Sequence, residues 1–222
     1  VLKIAKEKGL TSDHEAELDI GGYDAAHKLT ILSMLCFSSN LNFEQNSIQG
    51  ISNVKIEDIN FAKKLGYKIK LISESSIIDN KISNFTSPKL ISYKNSLANV
   101  GDALNAINIS TEHLENLCLE GQGAGGKPTA NSILSDLYDI SQNDEFNNIG
   151  FFTKDFIDYS EYDSKNIINS YYLRIMTDDK PGVLSSITNN FSDSDISVEK
   201  ILQLPENSNK NIAKSLQFSI FE

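Results

Sequence analysis

Between Lys55 and Ser73 the apolar spacing of this chain changes character at a single glycine. "KIEDINFAKKL" repeats its apolar residues at helical spacing, Gly66 stops it, and "YKIKLIS" then alternates as a half-buried strand does. A helix running straight into a strand calls for a sheet with helices against it, so the chain reads as α+β, a mixed sheet with helices. Residues 1–8 read as a helix ending at Gly9, and Thr11 to Gly22 as an acid-rich polar loop. Ala25, Ala26, Leu29, Leu32, Leu35 and Cys36 predict a helix from Tyr23 to about Ser38. Beyond the turn-like "SSIIDNK" come a second strand over Lys81–Phe85 and a third in "PKLISYK". "SLANVGDALNAINIS" mixes turn and strand, "NLCLEG" is a short strand, and "KPTANSILSDLYDI" is a helix with Pro128 near its first turn.

From Ser141 to Asn169 the composition shifts to Asn, Asp, Ser and Phe without a period, which reads as a linker. Tyr172–Thr177, Pro181–Phe191 and Ile196–Leu202 then give strand, helix and strand, and "KSLQFSIFE" supplies a further strand. The expected organisation is a domain over 1–141, a linker over 142–169 and a smaller βαβ-type module over 170–222. That module looks truncated, because no second helix follows to cover its sheet.

Charge narrows the partners. The 222 residues carry 20 basic and 30 acidic side chains, a formal net charge of −10, with no basic run. Nucleic acid and anionic membrane both need a concentrated positive face, so neither is expected. No stretch approaches the ~18 apolar residues of a membrane span. Cys36 and Cys118 lie in apolar runs without CxxC or Cys/His spacing. They read as buried free thiols of a reducing cytoplasm, and no metal site is expected. Val1 opens on helical sequence with no signal-peptide pattern, so the chain is expected to begin inside a larger protein.

Three constellations could carry chemistry. Asp24 and Lys28 stand four residues apart on one helix face, with His27 beside them and Asp19 just ahead. They are either a helix start decorated with acids that favour the macrodipole, or a proton donor flanked by carboxylates that hold a substrate amine. "GQGAGGKPTA" matches both GxGxxG and GxxxxGK, each as a near miss: Pro128 stands where a phosphate loop needs Ser or Thr, and no βαβ unit follows. It is either a tight strand-to-helix turn or a site of backbone approach to an anion. "DDKPGVL" opens a helix with free N–H groups, as a plain turn or as a place for an amino acid's carboxylate.

With "DIGGYDAAHKL", "GISNVKIEDINFAKKLGYKIKLIS", "SLANVGDALNAI", "GQGAGGKPTANSILSDLYDI" and "LRIMTDDKPGVLSSI" in this order, the chain resembles the C-terminal part of homoserine dehydrogenase. The likeness covers about residues 1–202, from just after the nucleotide-binding domain through most of a ferredoxin-like ACT module. It implies an NAD- or NADP-dependent oxidoreductase interconverting aspartate semialdehyde and homoserine, in threonine, methionine and isoleucine biosynthesis. It further implies a cytoplasmic homo-oligomer, a dimer, with an amino-acid effector at the ACT segment. By the resemblance Lys28 is the proton donor or acceptor, Asp24 binds substrate and Asp19 lies in the same pocket. The family's amine-holding glutamate falls eleven residues before Asp24, on Asp13, with Glu15 as the alternative. The glycine loop, Gly121, Gly123, Ala124 and Gly125, approaches the cofactor, and Thr129 opens the next helix. Most cofactor contacts belong to the nucleotide-binding domain, so this chain is expected to hold half an active site and to be inactive in isolation.

Two other functions compete with that one. A non-catalytic ACT-type amino-acid sensor would have no use for Lys28. A nucleoside triphosphatase would need Ser or Thr at Pro128.

Overall fold

The computed structural model describes residues 13–142, 156–163, 166–167, 169–178, 180–204 and 214–221. The expected helix over residues 1–8 lies outside them. The chain forms two compact units, residues 1–162 and 163–222.

The first unit begins with two helices, α1 (Asp13–Gly21) and α2 (Tyr23–Phe37). The acid-rich stretch expected as a loop is therefore a helix. Acids in a first helical turn favour the positive end of the helix dipole, and Ala16 gives α1 one buried anchor. Gly22 separates the helices in a left-handed conformation, φ 82°, that a residue with a Cβ adopts only at a cost. The buried stripe of α2 is Ala26, Leu29, Thr30 and Ser33. Cys36 lies off that stripe and is exposed, and Cys118 is half-buried, which corrects the expectation of two buried thiols.

Helix α3 (Ile56–Leu65) forms as the sequence indicates. The buried Asp58 carboxylate accepts from Lys55 N at 2.8 Å, closing the first turn, and Gly66 ends the helix at φ 85°. Its Phe61 and Ala62 are fully buried. The chain then enters a long hairpin, β2 (Tyr67–Ile78) and β3 (Lys81–Ser92), after the short β1 (Ser47–Ile48). Asp79 and Asn80 both have positive φ, the geometry of a two-residue hairpin turn. The second and third expected strands are thus one continuous β3 with Pro88 inside it, opposite Leu71. Proline is tolerated there because β1 pairs β3 only at Phe85–Thr86 and β6 (Ser160–Glu161) only at Lys81–Ile82. Residue 88 needs no donor on that side. β6 also gives the described end of the expected linker a place on the sheet; residues 143–155 lie outside the described ones.

The hairpin register sorts its residues into two faces. Ser73, Ser75, Asn84 and Thr86 share the face toward α2: Ser33 Oγ donates to Asn84 Oδ1 at 3.4 Å, and the Ser73 and Thr86 hydroxyls are 2.8 Å apart. The opposite face carries Lys68, Lys70, Glu74, Phe85 and Lys89. There Lys89 reaches Glu74 at 2.5 Å and lies 4.2 Å from the Phe85 ring centroid. β4 (Leu104–Ile109) and β5 (Leu117–Gln122) form a separate antiparallel pair that leads through the glycine loop into α4 (Gly126–Gln142).

In the second unit β7 (Ser170–Thr177), α5 (Val183–Asp193), β8 (Ser197–Leu204) and β9 (Lys214–Phe221) follow one another. The sheet order is β7-β9-β8, each outer strand antiparallel to β9. Ile175, Ile187, Phe191, Ile196 and Val198 make a small, partly buried cluster. Among the described residues no helix is long and apolar enough to cross a membrane.

Among the described residues Phe61 is the largest fully buried side chain of the first unit, so Phe61→Ala is expected to cost roughly 3–5 kcal/mol of unfolding free energy. Ile31→Ala, at a side chain 60% exposed, should stay within about 0.5 kcal/mol. Urea denaturation of both variants checks the contrast.

Candidate active site

The ionisable groups at the start of α2 are brought together. Lys28 Nζ sits 2.6 Å from Asp24 Oδ2, with 54% and 44% of the two side chains exposed. An exposed i,i+4 pair contributes only about 0.3–0.5 kcal/mol, so its stabilising value is small and its accessibility to solutes is high. His27, one residue round, stacks on Phe43 with ring centroids 4.1 Å apart. Asp19 stands in the last turn of α1, and its carbonyl accepts from Gly22 N at 3.2 Å. Asp13 opens α1; its side chain, like that of Glu15, lies outside the described residues.

What holds this helix start in place is backbone contact. Ile51 N donates to Ile20 O at 2.9 Å and Gln49 N to Thr86 O at 2.8 Å, so the segment 47–51 is laced between α1 and β3. A Cβ on Gly50 would lie 2.3 Å from Ile20 O and 2.8 Å from Gly21 Cα. A Cβ on Gly22 would meet Thr86 Cγ2 at 3.3 Å. Sequence reasoning missed Gly50 as a positioning residue. Its one signal was a glycine between two single isoleucines, Ile48 and Ile51, which says nothing of the backbone it faces.

The glycine loop forms the second candidate element. Gly121 is the penultimate residue of β5, Gly123 N donates to Ala103 O at 3.0 Å, and Gly125 takes φ 125° just before α4. Thr129 N donates to Gly125 O at 3.1 Å, so Thr129 lies in the first turn of α4. Gly121, Gly123, Ala124, Gly125 and Thr129 are all exposed. Nothing lies within 4 Å of where a Cβ would be built on Gly121 or Gly126. Bare backbone at a helix N-terminus with open space beside it fits the close approach of a nucleotide's phosphate or ring. Among the described residues no cluster of His, Cys, Asp or Glu could hold a metal ion.

In the second unit Lys180 Nζ pairs with Asp178 Oδ2 at 2.7 Å at the mouth of α5, where Gly182 is left-handed at φ 89°. The hydrogen bond and the charge of Lys180 lower the Asp178 carboxyl from its ordinary range, and Asp178 raises Lys180 in return.

The family model of homoserine dehydrogenase matches residues 1–138. The chain belongs to the homoserine dehydrogenase family. It is 35% identical over 215 residues to the homoserine dehydrogenase of Bacillus subtilis, covering 96% of this chain and 49% of that protein. To the Neisseria gonorrhoeae homoserine dehydrogenase it is 32% identical over 209 residues, covering 91% of this chain and 48% of that one. The chain thus spans about half the length of the curated relatives it matches. Among solved structures, a homoserine dehydrogenase from Thiobacillus denitrificans superposes with TM-score 0.85 at 32% identity, over 99% of this chain and 50% of that one. The S. aureus homoserine dehydrogenase at pH 7.0 gives TM-score 0.71 at 25% identity, over 99% and 52%. Asp24, Lys28 and the glycine loop all fall within the segment matched by the homoserine dehydrogenase model.

The contact at Gly50 makes a direct test of what braces the helix start. Gly50→Ala forces two backbones apart and is expected to cost about 1–3 kcal/mol. Gly101→Ala, where the nearest atom to the new Cβ is 3.9 Å away, should stay within about 0.5 kcal/mol. Denaturant midpoints of the two variants give the comparison.

Proposed function

We propose that this protein takes part in the NAD(P)-dependent interconversion of L-aspartate 4-semialdehyde and L-homoserine, with Lys28 as the group that gives and takes the proton. The supporting observation is the 2.6 Å Asp24–Lys28 pair, half-exposed at the start of α2, inside the segment matched by the family model. A nicotinamide cofactor, when bound, supplies and receives the hydride at the substrate's carbonyl carbon. As the carbonyl oxygen gains negative charge, the Lys28 ammonium stabilises it and passes it a proton; in the oxidising direction the same nitrogen removes the hydroxyl proton. Asp24, one turn earlier, keeps the Lys28 side chain aimed, and with Asp19 it lines the substrate side of the pocket. Asp13, or Glu15 two residues on, binds the substrate's amine. The loop from Gly121 to Gly125, with Thr129, lets the cofactor approach the backbone closely.

On the same reading the enzyme works in the cytoplasm, serves threonine, methionine and isoleucine synthesis, and is a homo-oligomer. Its second unit is a partial ACT module over 170–222, and an amino-acid effector binds at the Asp178–Leu184 turn. A purely sensory protein is the weaker reading, because it has no task for Lys28.

In protein of its relatives' full length, Lys28→Ala is expected to cut kcat by roughly 10²-fold or more with a smaller change in KM. Asp13→Ala should act mainly by raising KM, because the amine it holds takes no part in the reaction. Steady-state kinetics with homoserine as the varied substrate separates the two effects. Near-normal kcat in Lys28→Ala would return the cluster to a charged helix start.

A further inference from the structure

The register of β4 and β5 sets Asn105 opposite Gly121 and Ile107 opposite Leu119. The ladder runs one step further, because Gly123 N donates to Ala103 O at 3.0 Å. Cross-strand partners share a face, and so do residues two apart, so Asn105, Ile107, Leu119, Gly121 and Gly123 lie on one side of this pair. Along that side Ile107 and Leu119, both exposed, give way to bare backbone at the two glycines. The Asn105 side chain reaches over it. A Cβ on Gly123 would collide with the Asn105 amide nitrogen and lie 2.7 Å from its Oδ1, whereas nothing stands within 4 Å of one on Gly121. Gly123 is not left-handed, so what makes glycine necessary there is room for this amide. Among the described residues the amide of Asn105 has no hydrogen-bond partner, and Asn105 is exposed. Its N–H donors and its oxygen are thus both open to a ligand, whichever way the amide is turned.

We propose that Asn105 contacts the nicotinamide dinucleotide: its amide hydrogen-bonds a ring edge that offers a donor and an acceptor side by side, while that ring lies over Gly121. An amide paired through both its atoms fixes the rotation of what it binds, which bare glycine backbone cannot do. A side chain seated against backbone has few rotamers left to lose, so it meets the ligand at a small entropic cost. Phosphate oxygens only accept, and they would leave the Asn105 oxygen unanswered. Two parts of such a cofactor carry the matching edge, the carboxamide of the nicotinamide and the amino edge of the adenine. Either ring would replace the side chain that Gly121 lacks and continue the apolar row of Leu119 and Ile107. This contact presupposes that the cofactor approaches the glycine loop, and it names the polar group that orients it there.

The test is calorimetric titration of protein of its relatives' full length with NAD or NADP, whichever the unaltered protein binds more tightly. Asn105→Ala should raise the cofactor Kd about tenfold, the scale of one or two lost hydrogen bonds, while KM for homoserine stays within about twofold. Asn105→Asp, equal in size but without the donor, should bind no better than Asn105→Ala. Two analogues then locate the edge: the 3-acetylpyridine dinucleotide, with a methyl ketone for the carboxamide, and the hypoxanthine dinucleotide, with an oxygen for the adenine amino group. If Asn105 meets the carboxamide, the loss caused by Asn105→Ala shrinks with the first analogue and persists with the second; if it meets the adenine, the reverse holds. An equal loss with all three dinucleotides would overturn the contact, since the substitution would then act through the shape of the loop. Unchanged cofactor binding in Asn105→Ala would overturn it as well. Unaltered protein that binds no nicotinamide dinucleotide would overturn the cofactor reading of the glycine loop and this contact together.

Discussion

Three pieces of backbone meet where α1 turns into α2, and the first unit's site depends on how closely they approach. Gly22 makes the turn at φ 82°, Gly50 lies where a Cβ would be 2.3 Å from Ile20 O, and a Cβ on Gly22 would meet Thr86 Cγ2 of β3 at 3.3 Å. Interiors transmit displacement because they are close-packed, so widening any of these contacts moves the first turn of α2. That turn carries Asp24 and, one turn on, Lys28. The ion pair itself is too weak to hold its own geometry; the glycines and the two backbone hydrogen bonds of Gln49 and Ile51 do so.

The division of labour along α2 follows from this bracing. Its inner stripe, Ala26, Leu29, Thr30 and Ser33, is buried against a sheet face that is itself partly polar, through Asn84 and Thr86. Its outer stripe keeps Lys28 half in water, where a solute can reach it. The glycine loop between β5 and α4 meets a different need: at Gly121 and Gly126 it leaves backbone with open space beside it, while at Gly123 it makes room for the Asn105 side chain.

Much of the fold was legible in the sequence where the signal was local. The change of period at Gly66, the stop of α3, the i,i+4 placement of Asp24 and Lys28, and the loop from Gly121 to Gly125 each depend on a few neighbouring residues. What escaped depended on residues far away in the chain. Two strands were expected where β3 runs unbroken, and Pro88 is harmless inside it because β1 and β6 stop short of it. The acids of Asp13–Gly21 suggested a loop, because one buried alanine and a helix dipole leave little apolar period. β9 inserting between β7 and β8 has no local signature, since strand order is set by which faces must be buried together. Gly50 matters only through the backbone it faces.

The central claim is that Lys28 faces the reacting oxygen, and a crystal structure of the protein at its relatives' full length with homoserine bound tests it most directly. The account predicts the homoserine hydroxyl about 3 Å from Lys28 Nζ, with the substrate's amine on the carboxylate side of the pocket. A homoserine whose carboxylate meets Lys28, or whose hydroxyl points away while Lys28 stays on Asp24 alone, would contradict it.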